Sequence, residues 1–101
     1  MPRKRKVEYA ISAVEDLEGI RAWYSGQLVP EVGERLVREV VARVDGLTRF
    51  PESGRIVPEF QTPQLRELIH PPFRVVYRLD EDLIIVVRVC RSERQLEVPP
   101  A

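Results

Sequence analysis

Apolar and polar side chains alternate from residue 7 to residue 11 (Val7, Tyr9 and Ile11 against Glu8 and Ala10), the period-two pattern of a short, half-buried strand. At Ser12 the period lengthens. Val14, Leu17, Ile20, Trp23 and Tyr24 recur at three-to-four spacing with Glu15, Asp16, Glu18 and Arg21 between them, which predicts an amphipathic helix ending near Gly26. Ser12 and Glu15 stand at the spacing of a capping box, in which the serine hydroxyl accepts from the Glu15 amide and the carboxylate from the Ser12 amide. Pro30 suits the first turn of a second helix, whose stripe of Val32, Leu36, Val40, Val44 and Leu47 predicts about 20 residues, ending before Phe50-Pro51. Helices joined by about four residues lie antiparallel, as a hairpin.

Residues 51–64 have no periodicity; Pro51, Pro58, Pro63 and the Ser53-Gly54 step mark an ordered loop. Residues 65–70 and 73–79 then alternate, separated by Pro71-Pro72, and residues 83–89 form a nearly continuous β-branched run expected of a central strand. Asp80-Glu81-Asp82 between the last two predicts a three-residue hairpin turn. The order β-α-α-β-β-β predicts an α+β fold, with a helical hairpin packed on one face of a small antiparallel sheet. One domain of 101 residues is expected, with a basic lead-in at 1–6 and a tail at 97–101. A three-residue turn would set Leu79, Tyr77, Val75 and Phe73 opposite Leu83, Ile85, Val87 and Val89 on the face toward the helices. The other face would then pair Arg74 with Arg88. Like charges directly opposed on a sheet are unfavourable, so an anion is expected between them: a partner's carboxylate, or Glu67 or Asp82 of the same chain.

Composition removes several classes of function. There is no apolar run long enough to span a bilayer and no apolar segment of a secretory signal after Met1-Pro-Arg-Lys-Arg-Lys6, so no membrane association and a cytoplasmic location are expected. A single cysteine (Cys90) and a single histidine (His70) leave no internal disulfide, no metal site and a poor basis for a nucleophilic triad; both are expected to be structural, and no cofactor is expected. Sixteen basic and sixteen acidic residues cancel, which argues against bulk coating of nucleic acid. All the basic residues but Lys4 and Lys6 are arginine, whose planar fork suits carboxylates and phosphates.

Five fragments in this order resemble the RelE/ParE superfamily of toxins from type II toxin–antitoxin systems. They are Ala13-x-x-Asp16-Leu17-x-x-Ile20-x-x-Trp23-Tyr24, Leu47-x-x-Phe50-Pro51-x-x-Gly54-Arg55-x-Val57-Pro58-Glu59, Leu65-Arg66-Glu67-Leu68, Phe73-Arg74-Val75-Val76-Tyr77-Arg78 and Val89-x-Arg91-x-x-Arg94-x-Leu96. The second and third resemble the ParE branch in particular. The resemblance implies two alternative activities. RelE-like members cleave mRNA on the ribosome through the RNA's own 2′-hydroxyl, whereas ParE-like members inhibit DNA gyrase.

Cleavage of that kind needs a base, an acid and cations on the phosphate. By resemblance, Arg74 and Arg94 occupy the basic positions of the ribonuclease members. Arg91, protonated at neutral pH, stands where many of them carry histidine or lysine, and Val98 where they carry a C-terminal tyrosine. The expected function is therefore a ParE-like, non-catalytic inhibitor of gyrase and DNA replication, neutralised by a cognate ParD-like antitoxin. A ribosome-dependent ribonuclease using Arg74 and Arg94 is the alternative, and a degenerate toxin that only binds antitoxin is a third. Candidates for contact with antitoxin or target are Arg66, Arg74, Arg88, Arg91 and Arg94. Arg55 and Glu59 are expected to pair locally within the proline-rich loop.

Overall fold

The computed structural model describes residues 5–94 and residue 96. Strand β1 (Lys6–Tyr9) leads into helices α1 (Ile11–Gly26) and α2 (Pro30–Asp45), the latter prolonged by a 3-10 turn over Gly46–Thr48. Strands β2 (Arg55–Ile56), β3 (Leu65–His70), β4 (Phe73–Leu79) and β5 (Leu83–Arg91) follow. The sheet order is β1-β5-β4-β3-β2. Strands β2 to β5 run antiparallel, but β1 lies parallel to β5, pairing Lys6–Tyr9 with Leu83–Val86. The sheet is thus mixed rather than antiparallel. The hairpin turns predict only neighbours in sequence; the β1–β5 pairing is made across the whole chain.

Each helix buries one stripe. Ala13, Leu17 and Ile20 of α1 and Leu36, Val37, Val40 and Val44 of α2 meet Phe73, Val75, Tyr77, Leu79, Ile84, Val86 and Val89 of the sheet. Gly33 sits at the crossing of the helices, where an added Cβ would lie 3.1 Å from the Tyr24 Cβ. The chain reverses between them at Leu28, in the left-handed region at φ 65°, and not at Gly26. A smaller core forms on the other face of the sheet from Val57, Val76, Val87 and Leu96, with Leu65, Ile85 and Cys90 packed against it. Burial on both faces is why β5, held between β1 and β4, is apolar at almost every position.

The register of β4 against β5 corrects the expectation. Leu79 faces Ile84 and Tyr77 faces Val86; a bulge then leaves Val87 as the extra residue, so that Val76 faces Arg88, Val75 faces Val89 and Arg74 faces Cys90. Arg74 and Arg88 are not opposed, and no bridging anion is required between them. The Ser12 capping box does not form either: α1 starts two residues earlier, with Ala10 at its N-cap and no side-chain cap.

Candidate functional site: the groove between α1 and β5

Strand β1 pairs with β5 only as far as Val86, and beyond that point the polar side of α1 occupies the β5 edge. The Ala10 amide donates to the Val86 carbonyl at 2.9 Å, and the Ser12 hydroxyl donates to the Val87 carbonyl at 2.7 Å. The Val89 amide donates to Asp16 Oδ2 at 2.9 Å. Arg88 closes on the same carboxylate with Nε at 2.9 Å and a terminal nitrogen at 3.0 Å. A helix side chain thereby satisfies main-chain groups that would otherwise be open to any passing strand.

Past Asp16 the helix and the strand end diverge around a groove of about 330 Å³. Glu15, Asp16, Gly19, Trp23 and Tyr24 are among the residues that line it from α1, and Arg88, Arg91 and Arg94 among those from the other side. Trp23 is 56% exposed and meets the Tyr24 ring edge-on, with centroids 4.8 Å apart. Arg91 Nε lies 2.7 Å from the Glu93 carboxylate, which holds the guanidinium protonated even more firmly than usual. An indole beside arginines in an open groove suits a segment that carries both apolar and acidic side chains. Lys6 lies in β1, Arg5 Nε donates to the Asp80 and Glu81 carbonyls, and the rest of the basic lead-in, Val98 and the tail lie outside the described residues.

Arg74 does something different. Its side chain is 5% exposed and is consumed by carboxylates of its own chain. Its terminal nitrogens donate to Glu59 Oε2 at 2.6 Å, Glu59 Oε1 at 3.1 Å, Glu67 Oε1 at 3.1 Å and the Arg94 carbonyl at 2.6 Å. Glu67, with no exposed side-chain surface, accepts at its other oxygen from Arg55 Nε at 2.6 Å. The Leu96 amide reaches Glu59 Oε2 at 3.3 Å. Two cations and two anions balance in this clasp, as a buried charge requires. The hydrogen bonds from Arg74 hold the Glu59 carboxyl far below the ordinary range, at about 2, and Glu59 pushes the Arg74 pKa upward in turn.

The clasp accounts for the loop motif of the sequence. Gly54 passes so close to β3 and β4 that a Cβ would lie 2.5 Å from the Tyr77 hydroxyl oxygen and 2.7 Å from the Glu67 carbonyl oxygen. Its amide donates to that tyrosine oxygen at 2.9 Å. Arg55 and Glu59 both form ion pairs, but with Glu67 and Arg74 on the sheet and not with each other. Arg66 spans the loop, donating to the carbonyls of Pro63, Gly54 and Glu52. Of the five arginines singled out by sequence, Arg88, Arg91 and Arg94 come together at the groove, while Arg66 and Arg74 are tied into the loop. Sequence reasoning missed Asp16, which organises the groove. It also gave no role to Gly19 and left open which of Trp23 and Tyr24 faces outward. His70 pairs with Glu39 of α2 at 3.0 Å, in keeping with a structural role. Among the described residues no cluster of three or more His, Cys, Asp or Glu could hold a metal ion, and no helix is long and apolar enough to cross a membrane.

Comparison with known proteins adds a family. Residues 7–96 match the ParE toxin of the type II toxin–antitoxin system, parDE. A chain of the chromosomal ParDE toxin–antitoxin system of P. aeruginosa superposes with a TM-score of 0.75 at 25% identity, covering 89% of this chain and 98% of that one. A chain of the toxin–antitoxin complex RelBE2 from Mycobacterium tuberculosis shares the fold, with a TM-score of 0.65 at 20% identity over 87% of this chain and 98% of that one. No curated protein matches the sequence.

Proposed function

The chain belongs to the ParE toxin family of type II toxin–antitoxin systems, and within it we propose that this protein inhibits DNA gyrase and is neutralised by a cognate antitoxin. The observation that supports inhibition over RNA cleavage is the state of Arg74. The resemblance makes it the phosphate-binding arginine of a ribonuclease. Here that guanidinium is buried and bonded to two carboxylates and a carbonyl. A phosphate would have to displace Glu59 and approach Glu67, whose negative charge repels it. Arg91, where ribonuclease members carry a titratable base, is a guanidinium kept protonated by Glu93 and takes no proton at neutral pH.

The antitoxin is assigned to the groove between α1 and β5. With Arg88 and Arg91 already paired to Asp16 and Glu93, Arg94 is the cation that favours an acidic side chain there, and Trp23 offers the apolar anchor that gives such an interface its affinity. The test is a supercoiling assay with purified gyrase and this chain. Inhibition relieved by the cognate antitoxin is the expected result. An unaffected gyrase together with mRNA cleavage on ribosomes would favour the ribonuclease, and neither effect would favour a degenerate toxin.

A further inference from the structure

The clasp around Arg74 has a fixed half and a removable half. Arg74 and Glu67 stand on adjacent strands, β4 and β3, and Glu67 is fully buried. Glu59 belongs to the irregular loop after β2, keeps 30% of its side chain exposed, and is followed by Gln61 in the left-handed region at φ 51°. The other removable element is the chain after β5. Beyond β5 the Ser92 amide donates to the Pro72 carbonyl and the Arg94 amide to the Arg91 carbonyl. The Arg94 carbonyl is then fastened to Arg74 and the Leu96 amide to Glu59. Leu96 completes the small core against Val57, Val76 and Val87.

Arg94 is thus held by its backbone on the face of the sheet away from the helices, while the same residue lines the groove beside α1. We propose that Arg74 and Glu59 form a latch that fastens the chain following β5 and through it sets Arg94 at the groove mouth, which makes both of them positioning residues for whatever segment the groove receives. An arginine fork is needed for this. It reaches Glu59, Glu67 and the Arg94 carbonyl together, and a lysine ammonium on a single stem does not. Arg74 is therefore required without touching the partner.

That the groove's occupant is the antitoxin rests on the function proposed above. The latch itself is tested on the isolated full-length chain, so the two ideas fail separately. Amide hydrogen exchange is followed in wild type, Glu59→Ala and Arg74→Lys. The expected result is exchange at Leu96 faster by about tenfold or more in both variants, with the Val75 and Val89 amides within about twofold of wild type. Trp23, the only tryptophan, supplies a second readout at the groove itself. Iodide, drawn in by the arginines, should quench it about half as well relative to neutral acrylamide once Arg94 has left. Unchanged exchange at Leu96, equal acceleration at Val75 and Val89, or an unchanged iodide-to-acrylamide ratio would each overturn the latch. If Arg74→Lys does not fold, Glu59→Ala, a change on a partly exposed loop, carries the test alone.

Discussion

Glu59 shows how one side chain can tie a loop, a sheet and a chain end together. Its carboxyl is held at about 2 by the hydrogen bonds from Arg74, against the usual value near 4.5. A carboxylate whose pKa is lower in the folded state than in the unfolded chain stabilises the fold above its unfolded pKa, and loses that contribution as pH falls through the folded one. The stability advantage of wild type over Glu59→Gln should therefore be constant above about pH 5.5, shrink between about 4.5 and 2, and vanish below. Urea unfolding of both proteins at stepped pH checks this, and a difference that does not change with pH would contradict it. Residue type foretold part of this site. An arginine-rich chain with few lysines announced planar forks, and Arg66, Arg74 and Arg88 each engage acceptors through two nitrogens, while Arg55 uses its Nε alone. Which carboxylate each fork meets was not legible, since Glu59 and Glu67 lie 15 and 7 residues from Arg74 in the chain.

Among the elements, the loop between α2 and β3 is the least regular and the most constrained. Gly54 is where it touches the sheet, and there a methyl group meets a tyrosine ring and a strand carbonyl. Gly54→Ala should cost about 2–3 kcal/mol, because β3 and the buried Tyr77 cannot both retreat. Equilibrium unfolding measures it, and a cost below about 0.5 kcal/mol would show that the contact relaxes freely. The Gly54 to Glu59 motif was visible in the sequence, and its reason is this docking. The helical hairpin and the last three strands were also legible, because their periodicity reports burial directly. The two-residue β2 was too short to carry a pattern, and the β4–β5 register escaped for a related reason. Periodicity fixes register only where one face is polar, and β5 is apolar on both, so a slip leaves its pattern unchanged. Ser12 misled for yet another reason: its hydroxyl serves the open β5 edge, a tertiary contact that displaces the local cap.

At the scale of the molecule, equal numbers of acidic and basic residues conceal an uneven distribution. The arginines of the loop are locked among acceptors of the loop and sheet, whereas at the groove Arg88 is held by Asp16 and Arg91 by Glu93, with Arg94 and the exposed Trp23 beside them. One face of the sheet is closed by the helices and the other by the loop and Leu96. The groove at the end of β5 thus sets the exposed Trp23 beside three arginines and the carboxylates that pair with two of them. This division underlies the central claim, that a ParE-family toxin acts here by binding and not by cutting RNA. The most direct measurement is metabolic pulse-labelling after this chain alone is induced in bacterial cells, with DNA and protein synthesis followed separately. The account predicts that DNA synthesis falls first while translation persists; an early fall in translation, with DNA synthesis spared, would contradict it.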